Sequence, residues 1–503
     1  MINLFITAGT IISQPLFAKS YGSDTAYHIG FPRSKCVVQL SDGGYAFTAP
    51  TNPNYDDFLV VRLDLYGNPL WAKTYAGSSY DAPYSITQTS EGGLAITGES
   101  HSWSASEDDF VVLKLDPSGN IQWARDYGLG AQEYGRCIIQ TSDGGYAVGG
   151  LWLGVVNLYD FALLKLDPSG NLEWARAFGY DSYDFCNSVI QTTDGGYALA
   201  GVTGGTSSDL LIVKLDGSGN FQWASKIGGT AREESFSVVQ TPDGGLAVGG
   251  YTSSFGAGSE DFFLVKLSSD GTFLWAKTYG GTGSDVALAM TQSLGGTIIM
   301  AGYSTSWGSG QDLMVVGIEP YSGNLLWART FGGPGEDKAF GVGPTVDEGC
   351  VLLCRFAGTQ NEFLVMRLDQ GGNYPNCVAD CAPTVYAVSP SITPLFAGLT
   401  SCSPYSRTPT PIVSTVTKPI TDVCEPLHAE ESPARDSTIW IRCVPVPGGA
   451  LFVSFGIMNI RIYSVDGRVV YSGELQGGRS RIPLETGVYI WQAGQYRGRA
   501  VVK

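Results

Sequence analysis

Two sets of carboxylates recur along this chain of 503 residues at places where they could hold a hard cation or move protons. The first comprises Asp81, Glu133, Asp184, Glu233, Asp285 and Asp337, each seven residues ahead of a Gln-like position, with Asp24 as the counterpart in the first copy. If the strand that follows is innermost in a closed ring, these acids surround a central channel at one face. Such a ring suits Ca²⁺, which takes about six to eight oxygen ligands. The alternative is that each carboxylate accepts backbone N–H bonds and shapes its own loop. The second set is Asp57, Asp109, Asp160, Asp209, Asp261, Asp312 and Glu362. Its repetition in every copy points to a structural task, because a catalytic group is needed only once. Between strands on the same face fall His101, Trp103, Trp152, Phe255 and Trp307. Exposed aromatics of this kind can stack on sugar rings, although packing between neighbouring units is the other use for them.

Other chemistry is thinly supplied. Three histidines, His28, His101 and His428, are too few for a convincing Ser-His-Asp set, and no Gly-rich loop precedes a helix. Of ten cysteines, Cys36, Cys137, Cys186, Cys350 and Cys354 sit in strand-like runs and read as buried thiols, while Cys377, Cys381, Cys402, Cys424 and Cys443 lie in irregular sequence where disulfides would serve as staples. Cys377 and Cys381 lack the neighbouring ligands that would complete a zinc site. A net charge of −17, with only 30 scattered Lys and Arg, argues against a nucleic-acid partner.

The elements that must position these groups come from a repeat of about 52 residues. A Trp-Ala-Lys/Arg-like element recurs at Trp71, Trp123, Trp174, Trp223 (as Trp-Ala-Ser), Trp275 and Trp327, with Phe17-Ala-Lys as the earliest copy. Each is followed by a Gln-Thr-x-Asp-Gly-Gly element and then by an apolar run ending in Lys-Leu-Asp or a variant. Gly pairs supply the positive φ of hairpin turns, so each copy reads as four short strands. Seven such copies predict an all-β fold, a seven-bladed β-propeller with four-stranded blades over 17–375. After Arg367-Leu-Asp369 no Trp strand follows, so the strand at Phe17 is expected to complete the seventh blade and hide its edge. The repeat Trp residues are expected between blades.

Residues 1–16 contain a short apolar run like the core of an export signal, without a basic start or an evident cleavage site. Residues 376–435 are rich in Pro, Ser, Thr and Cys and read as an extended linker with no core of its own. Residues 436–503 show six apolar runs between Gly turns and predict a small C-terminal β-sandwich. No run is long enough for a transmembrane helix.

Trp275-Ala-Lys-Thr-Tyr-Gly-Gly281 and Asp261-Phe-Phe-Leu-Val-Lys-Leu267 resemble the unit of bacterial secreted β-propeller-repeat proteins. Ile460-Arg-Ile-Tyr-Ser-Val-Asp-Gly-Arg-Val-Val470, Gly487-Val-Tyr-Ile-Trp491 and the terminal Arg499-Ala-Val-Val-Lys503 are similar to the C-terminal sorting domain of the type IX secretion system. These resemblances imply the type IX machinery as a partner and a secreted or outer-membrane surface-attached location. The expected function is a non-catalytic binding or structural propeller, monomeric, recognising a polysaccharide or surface protein through Trp103, Trp152, Phe255 and Trp307. The alternative is a polysaccharide-active glycosidase or lyase using carboxylates at the propeller mouth.

Overall fold

Seven antiparallel sheets close into a ring of blades. The computed structural model describes residues 14–21, 35–50 and 57–374, apart from loop positions 78, 103–108, 129–131, 154–158, 180–182, 205–206, 309, 334 and 356–362, together with the backbone of strands between 379 and 502. Blade 5 shows the unit: Glu233–Gln240, Leu246–Thr252, Asp261–Leu267 and Phe273–Gly280 pair in sequence order. The two middle strands are buried along their whole length because a neighbouring blade covers each of their faces. The Asp-Gly-Gly hairpin forms as read. Gly244 takes φ +80°, which a side chain would resist, and Asp243 Oδ1 accepts the Gly245 N–H at 3.0 Å.

The first strands of successive blades touch one another in order, from Val37–Gln39 through Lys338–Pro344 and back to the start, so the strand after each Trp element is innermost. Closure uses the N-terminal strand. Phe17–Tyr21 pairs antiparallel with Phe363–Leu368, giving blade 7 its fourth strand. Its side chains also do what the Trp strands do. Trp71 lies against Gly119 in the turn of the next blade and Trp275 against Gly323, and Phe17 lies against Gly67 in the same way. Tyr75 Oη donates to the Gly119 carbonyl at 2.6 Å, and Tyr21 Oη donates to the Gly67 carbonyl at 2.6 Å. The repeat Trp residues thus sit half-buried in the seams between blades. At the same end of the blades the repeat Gln latches consecutive blades. Gln88 Oε1 accepts the Ser41 N–H at 2.8 Å, and Gln39 Oε1 accepts the Val346 N–H at 2.7 Å across the closure.

The segment read as a linker is extended, but it is not free. Ala379–Asp380, Thr384–Val388, Ser391–Leu395, Leu399–Cys402, Tyr405–Arg407, Ile412–Thr415 and Ile420–Asp422 add a fifth strand to blades 6, 5, 4, 3, 2, 1 and 7 in that order. The chain returns around the ring against the blade order, pairing antiparallel with each outermost strand. The physical reason is the row of unpaired N–H and C=O groups that every outer strand presents. Proline is tolerated here because an edge strand need not donate on both sides.

The chain divides into two compact units, Met1–Leu427 and His428–Lys503. In the second, Ile441–Val446, Gly449–Ser464, Val469–Pro483, Gly487–Ala493 and Tyr496–Val502 pair as one antiparallel sheet. Two runs expected as separate strands, 450–454 and 460–463, join into the single strand Gly449–Ser464, with a register shift between Ser454 and Ile457. Among the described residues no helix is long and apolar enough to cross a membrane. Cys36, Cys137, Cys186, Cys350 and Cys354 are buried free thiols; the side chains of the other five cysteines lie outside the described residues.

Candidate functional site

All six acids of the first set are sealed from solvent, with 0% exposure for Asp81, Glu133, Asp184, Glu233 and Asp285 and 2% for Asp337. They do not line an open channel, which corrects the ring expected from their spacing. Each begins an innermost strand and turns back onto the loop before it. Gly77 N donates to Asp81 Oδ2 at 2.9 Å, Gly229 N to Glu233 Oε2 at 2.7 Å, Gly281 N to Asp285 Oδ2 at 2.7 Å and Gly333 N to Asp337 Oδ2 at 3.0 Å. The neighbouring second strand adds a hydroxyl, from Ser100 to Asp81 and from Thr252 to Glu233. Among the described residues no group of three His, Cys, Asp or Glu gathers that could hold a metal, and Asp24 lies outside them.

The two acidic sets, read separately along the chain, meet at the blade junctions. The third-strand acid of one blade faces the first-strand acid of the next around the glycine that leads between them. A Cβ on Gly280 would lie 1.7 Å from Asp261 Oδ1 and 2.9 Å from Asp285 Oδ2; on Gly332 it would lie 2.2 Å from Asp312 Oδ1 and 2.6 Å from Asp337 Oδ2. Asp209 and Glu233 meet around Gly228 in the same way. The backbone fixes this approach. Asp285 N donates to the Glu260 carbonyl at 2.8 Å and Asp337 N to the Gln311 carbonyl at 2.6 Å. Burial, and then the neighbouring acid, pushes Asp160 up to about 6; burial chiefly, with Asp285 adding to it, does the same for Asp261. Asp312 is raised by burial and by Asp337. Glu362 lies outside the described residues.

Of the four aromatics expected to form a platform, the three described do not come together. Trp152 is in the strand Tyr146–Leu153, 3% exposed and opposite Glu133, so it belongs to the core rather than to an open loop. Phe255 is half-buried against Phe263, with centroids 6.1 Å apart, and over Gly229. Trp307 leans on Gly281 and on the core of blades 5 and 6. Trp103 lies outside the described residues.

A different set occupies the axial end of the channel. Every first strand from blade 2 to blade 7 carries a bulge at the same place, as between Pro83 and Ser85 or between Ala287 and Ala289. Bulges re-aim a side chain. The residue there is Tyr84, Arg136, Asn187, Phe236, Leu288 or Phe340, with Lys35 at the equivalent place in blade 1. Over blades 1 to 4 the residue changes from Lys35 to Tyr84, Arg136 and Asn187, and over blades 5 to 7 it is apolar throughout. Lys35 Nζ donates to the Val189 carbonyl at 3.4 Å, reaching from blade 1 to blade 4, so its side chain crosses the channel, and burial lowers its pKa. Arg136 bonds Asn187 Oδ1 at 3.2 Å and lies 5.2 Å over the Phe185 ring, which clusters with Tyr159 and the 43%-exposed Tyr183. Further round, Phe236 stacks on Tyr251 under Arg232, and Lys338 lies 5.0 Å over Tyr303. Tyr84 Oη donates to Glu99 Oε1 at 2.7 Å. Asn187, Phe236, Tyr251 and Phe340 are buried, so the accessible part of this set is Tyr84, Arg136, Tyr159, Tyr183, Phe185 and Tyr303 with the cations beside them. Its signal in the sequence is that the copies disagree at this inner-strand position, as they also do two residues earlier, from Ala82 and Tyr134 to Glu234 and Lys338.

No family model matches the chain, and no curated protein sequence matches it. Solved structures similar to it include PorZ of Porphyromonas gingivalis, described as an essential bacterial surface component of the type-IX secretion system, at 11% identity and a TM-score of 0.41, covering 95% of this chain and 61% of that one. Sqt1 from Chaetomium thermophilum is similar at 12% identity and a TM-score of 0.40, covering 70% of this chain and 100% of that one. Kuenenia stuttgartiensis hydrazine synthase is similar at 13% identity and a TM-score of 0.30, covering 75% of this chain and 47% of that one. The chain therefore spans less than two thirds of the length of PorZ.

Proposed function

We propose that the chain is a secreted or surface-attached recognition propeller that binds carbohydrate at its axial mouth. The observation that carries this reading is the contrast between the recurring junction acids and the bulged position beside them, where Lys35, Tyr84, Arg136 and Asn187 give way to Phe236, Leu288 and Phe340. A scaffold repeats its structural groups and varies the ones that meet a ligand. Aromatic faces suit the apolar face of a sugar ring, and Arg136, Arg232, Glu99 and Glu234 offer donors and acceptors for hydroxyls. The buried acid pairs are out of reach of a polymer, so a glycosidase or lyase would need other carboxylates.

Export rests on the second unit. The sequences Asp466-Gly467-Arg468 and the final Val-Val-Lys are similar to those of a type IX sorting domain, and we take 428–503 to fold as that domain, with a β-sandwich as its finished form. The experiment is binding of the full chain to a glycan array beside an Arg136→Ala/Phe185→Ala variant. Glycan binding that disappears in the variant supports the reading. Absence of glycan binding, with capture of a surface protein instead, would replace carbohydrate by a protein ligand at the same mouth.

A further inference from the structure

At the junction of blades 4 and 5 the chain supplies its own counter-ion. Lys226 Nζ lies 3.1 Å from Asp209 Oδ2, beside the Asp209–Glu233 pair. Lys226 stands two residues before Gly228. Two residues before Gly280, at the junction of blades 5 and 6, the chain has Thr278 instead. The acids are still present: Asp261 is 1% exposed, Asp285 is 0% exposed, and they meet around Gly280. Asp261 Oδ1, Asp285 Oδ1 and Thr278 Oγ1 are all sealed from solvent, and none makes a hydrogen bond with the described residues. Blades 6 and 7 bring Asp312 and Asp337 together around Gly332 in the same way, with Thr330 at the Lys226 position, and there Asp312 Oδ1 is buried and accepts no hydrogen bond from the described residues. Two carboxylates facing each other out of water are costly unless a positive charge joins them.

We propose that the junction of blades 5 and 6 binds Ca²⁺ between Asp261 and Asp285, and that the Asp312–Asp337 junction is a second site of the same construction. The ligand set is oxygen only, which selects a hard cation, and its irregular geometry around a glycine favours Ca²⁺ over Mg²⁺ with its near-octahedral demand. Lys226 is then the covalent substitute for the ion at the Asp209–Glu233 junction. The sites staple blades rather than bind a ligand, so they stand independently of the mouth.

The test uses the full chain stripped with EDTA, titrated with CaCl₂ by calorimetry and by thermal unfolding. Ca²⁺ should raise Tm, with two sites per chain. Asp261→Asn should remove one site, and Asp312→Asn the other. Thr278→Lys, which copies the Lys226 arrangement, should remove one site while leaving Tm in EDTA unchanged or higher. Absence of a Ca²⁺-dependent Tm shift and of binding at millimolar Ca²⁺ overturns the proposal. Full stoichiometry retained in both Asp261→Asn and Thr278→Lys would also overturn it. Should Thr278→Lys fail to fold, Thr330→Lys makes the same substitution at the other junction.

Discussion

The blade junctions and the channel mouth lie at the same end of the innermost strands, within a few residues of each other, and they follow opposite rules. At three junctions an acid of one blade's third strand meets an acid of the next blade's first strand around a glycine, as Asp209 and Glu233, Asp261 and Asp285, and Asp312 and Asp337 do, with a backbone bond beside each pair. At the mouth, three residues further along the same strands, the side chain changes from Tyr84 to Arg136 to Asn187 to Phe236. The junction must solve one packing problem seven times. The mouth has no such duty, because a bulged residue leaves the ladder and points along the axis. Repetition therefore marks the scaffold, and its local failure marks the place where function is free to act.

The comparison breaks most completely if the ring itself opens. Deleting residues 14–21 removes the fourth strand of blade 7, with Phe17 on Gly67 and the Tyr21–Gly67 bond. A large fall in Tm and loss of a single cooperative transition by calorimetry are expected, and an unchanged melt would show that the strand is not the lock. Next in size is Gly280→Ala. Its Cβ would lie 1.7 Å from Asp261 Oδ1, inside a junction with no slack, so a loss of about 1–3 kcal/mol is expected from overpacking. Urea denaturation reads this directly, and a neutral result would mean that the acids are not held against one another.

A smaller effect tests the far face. Lys165, Lys214 and Lys266 are buried, and each reaches the Asp of its blade's Asp-Gly-Gly turn, as Lys214 reaches Asp194 at 2.9 Å. Burial works against these carboxylates, but hydrogen bonds from the neighbouring Lys and Thr outweigh it and hold Asp143 and Asp194 at about 2. Their folded pKa lies below the unfolded value of about 3.9, so the stabilisation is present above pH 4 and is lost as pH falls toward 2. Melting temperature should accordingly drop over that window. Asp143→Asn/Asp194→Asn should flatten that drop. In blade 6 both partners are gone together, with Gly317 and Gly295 in their places, as expected if a buried lysine without its aspartate is the costly state. At the outer seam, Tyr279→Phe removes the 2.7 Å bond to the Gly323 carbonyl and should cost about 1 kcal/mol.

Much of this scaffold was legible because its turn glycines, seam tryptophans and latching glutamines are side-chain signals that recur at a fixed period. The Asp261–Asp285 pairing was within reach as well, since the two acids stand 24 residues apart, as do Asp160 and Asp184. They read as separate sets because each pair joins the third strand of one blade to the first strand of the next, and the blade boundary falls between them. The strands from Ala379 to Asp422 gave no such signal. An edge strand that pairs through backbone alone imposes no apolar alternation, so Pro, Ser and Thr read as linker. Trp152 misled for the opposite reason: a bulky aromatic near a loop was read as exposed, whereas it fills the place opposite Glu133 where Ser100 and Thr252 stand in other blades.

The mildest perturbation sharpens the comparison best. Arg136→Ala removes a cation over Phe185 and a bond to Asn187, both part-buried and at the channel, without touching a seam, a junction or a latch. Stability should move by less than about 1 kcal/mol, in contrast to the Gly280 variant at the same end of the ring. Glycan binding, if the mouth is the site, should fall by about tenfold or more, the equivalent of about 1.4 kcal/mol. If Arg136→Ala destabilised the fold as much as Gly280→Ala while leaving binding intact, the division between repeated scaffold and varied mouth would fail, because the bulged residues would then be plugging the channel as core.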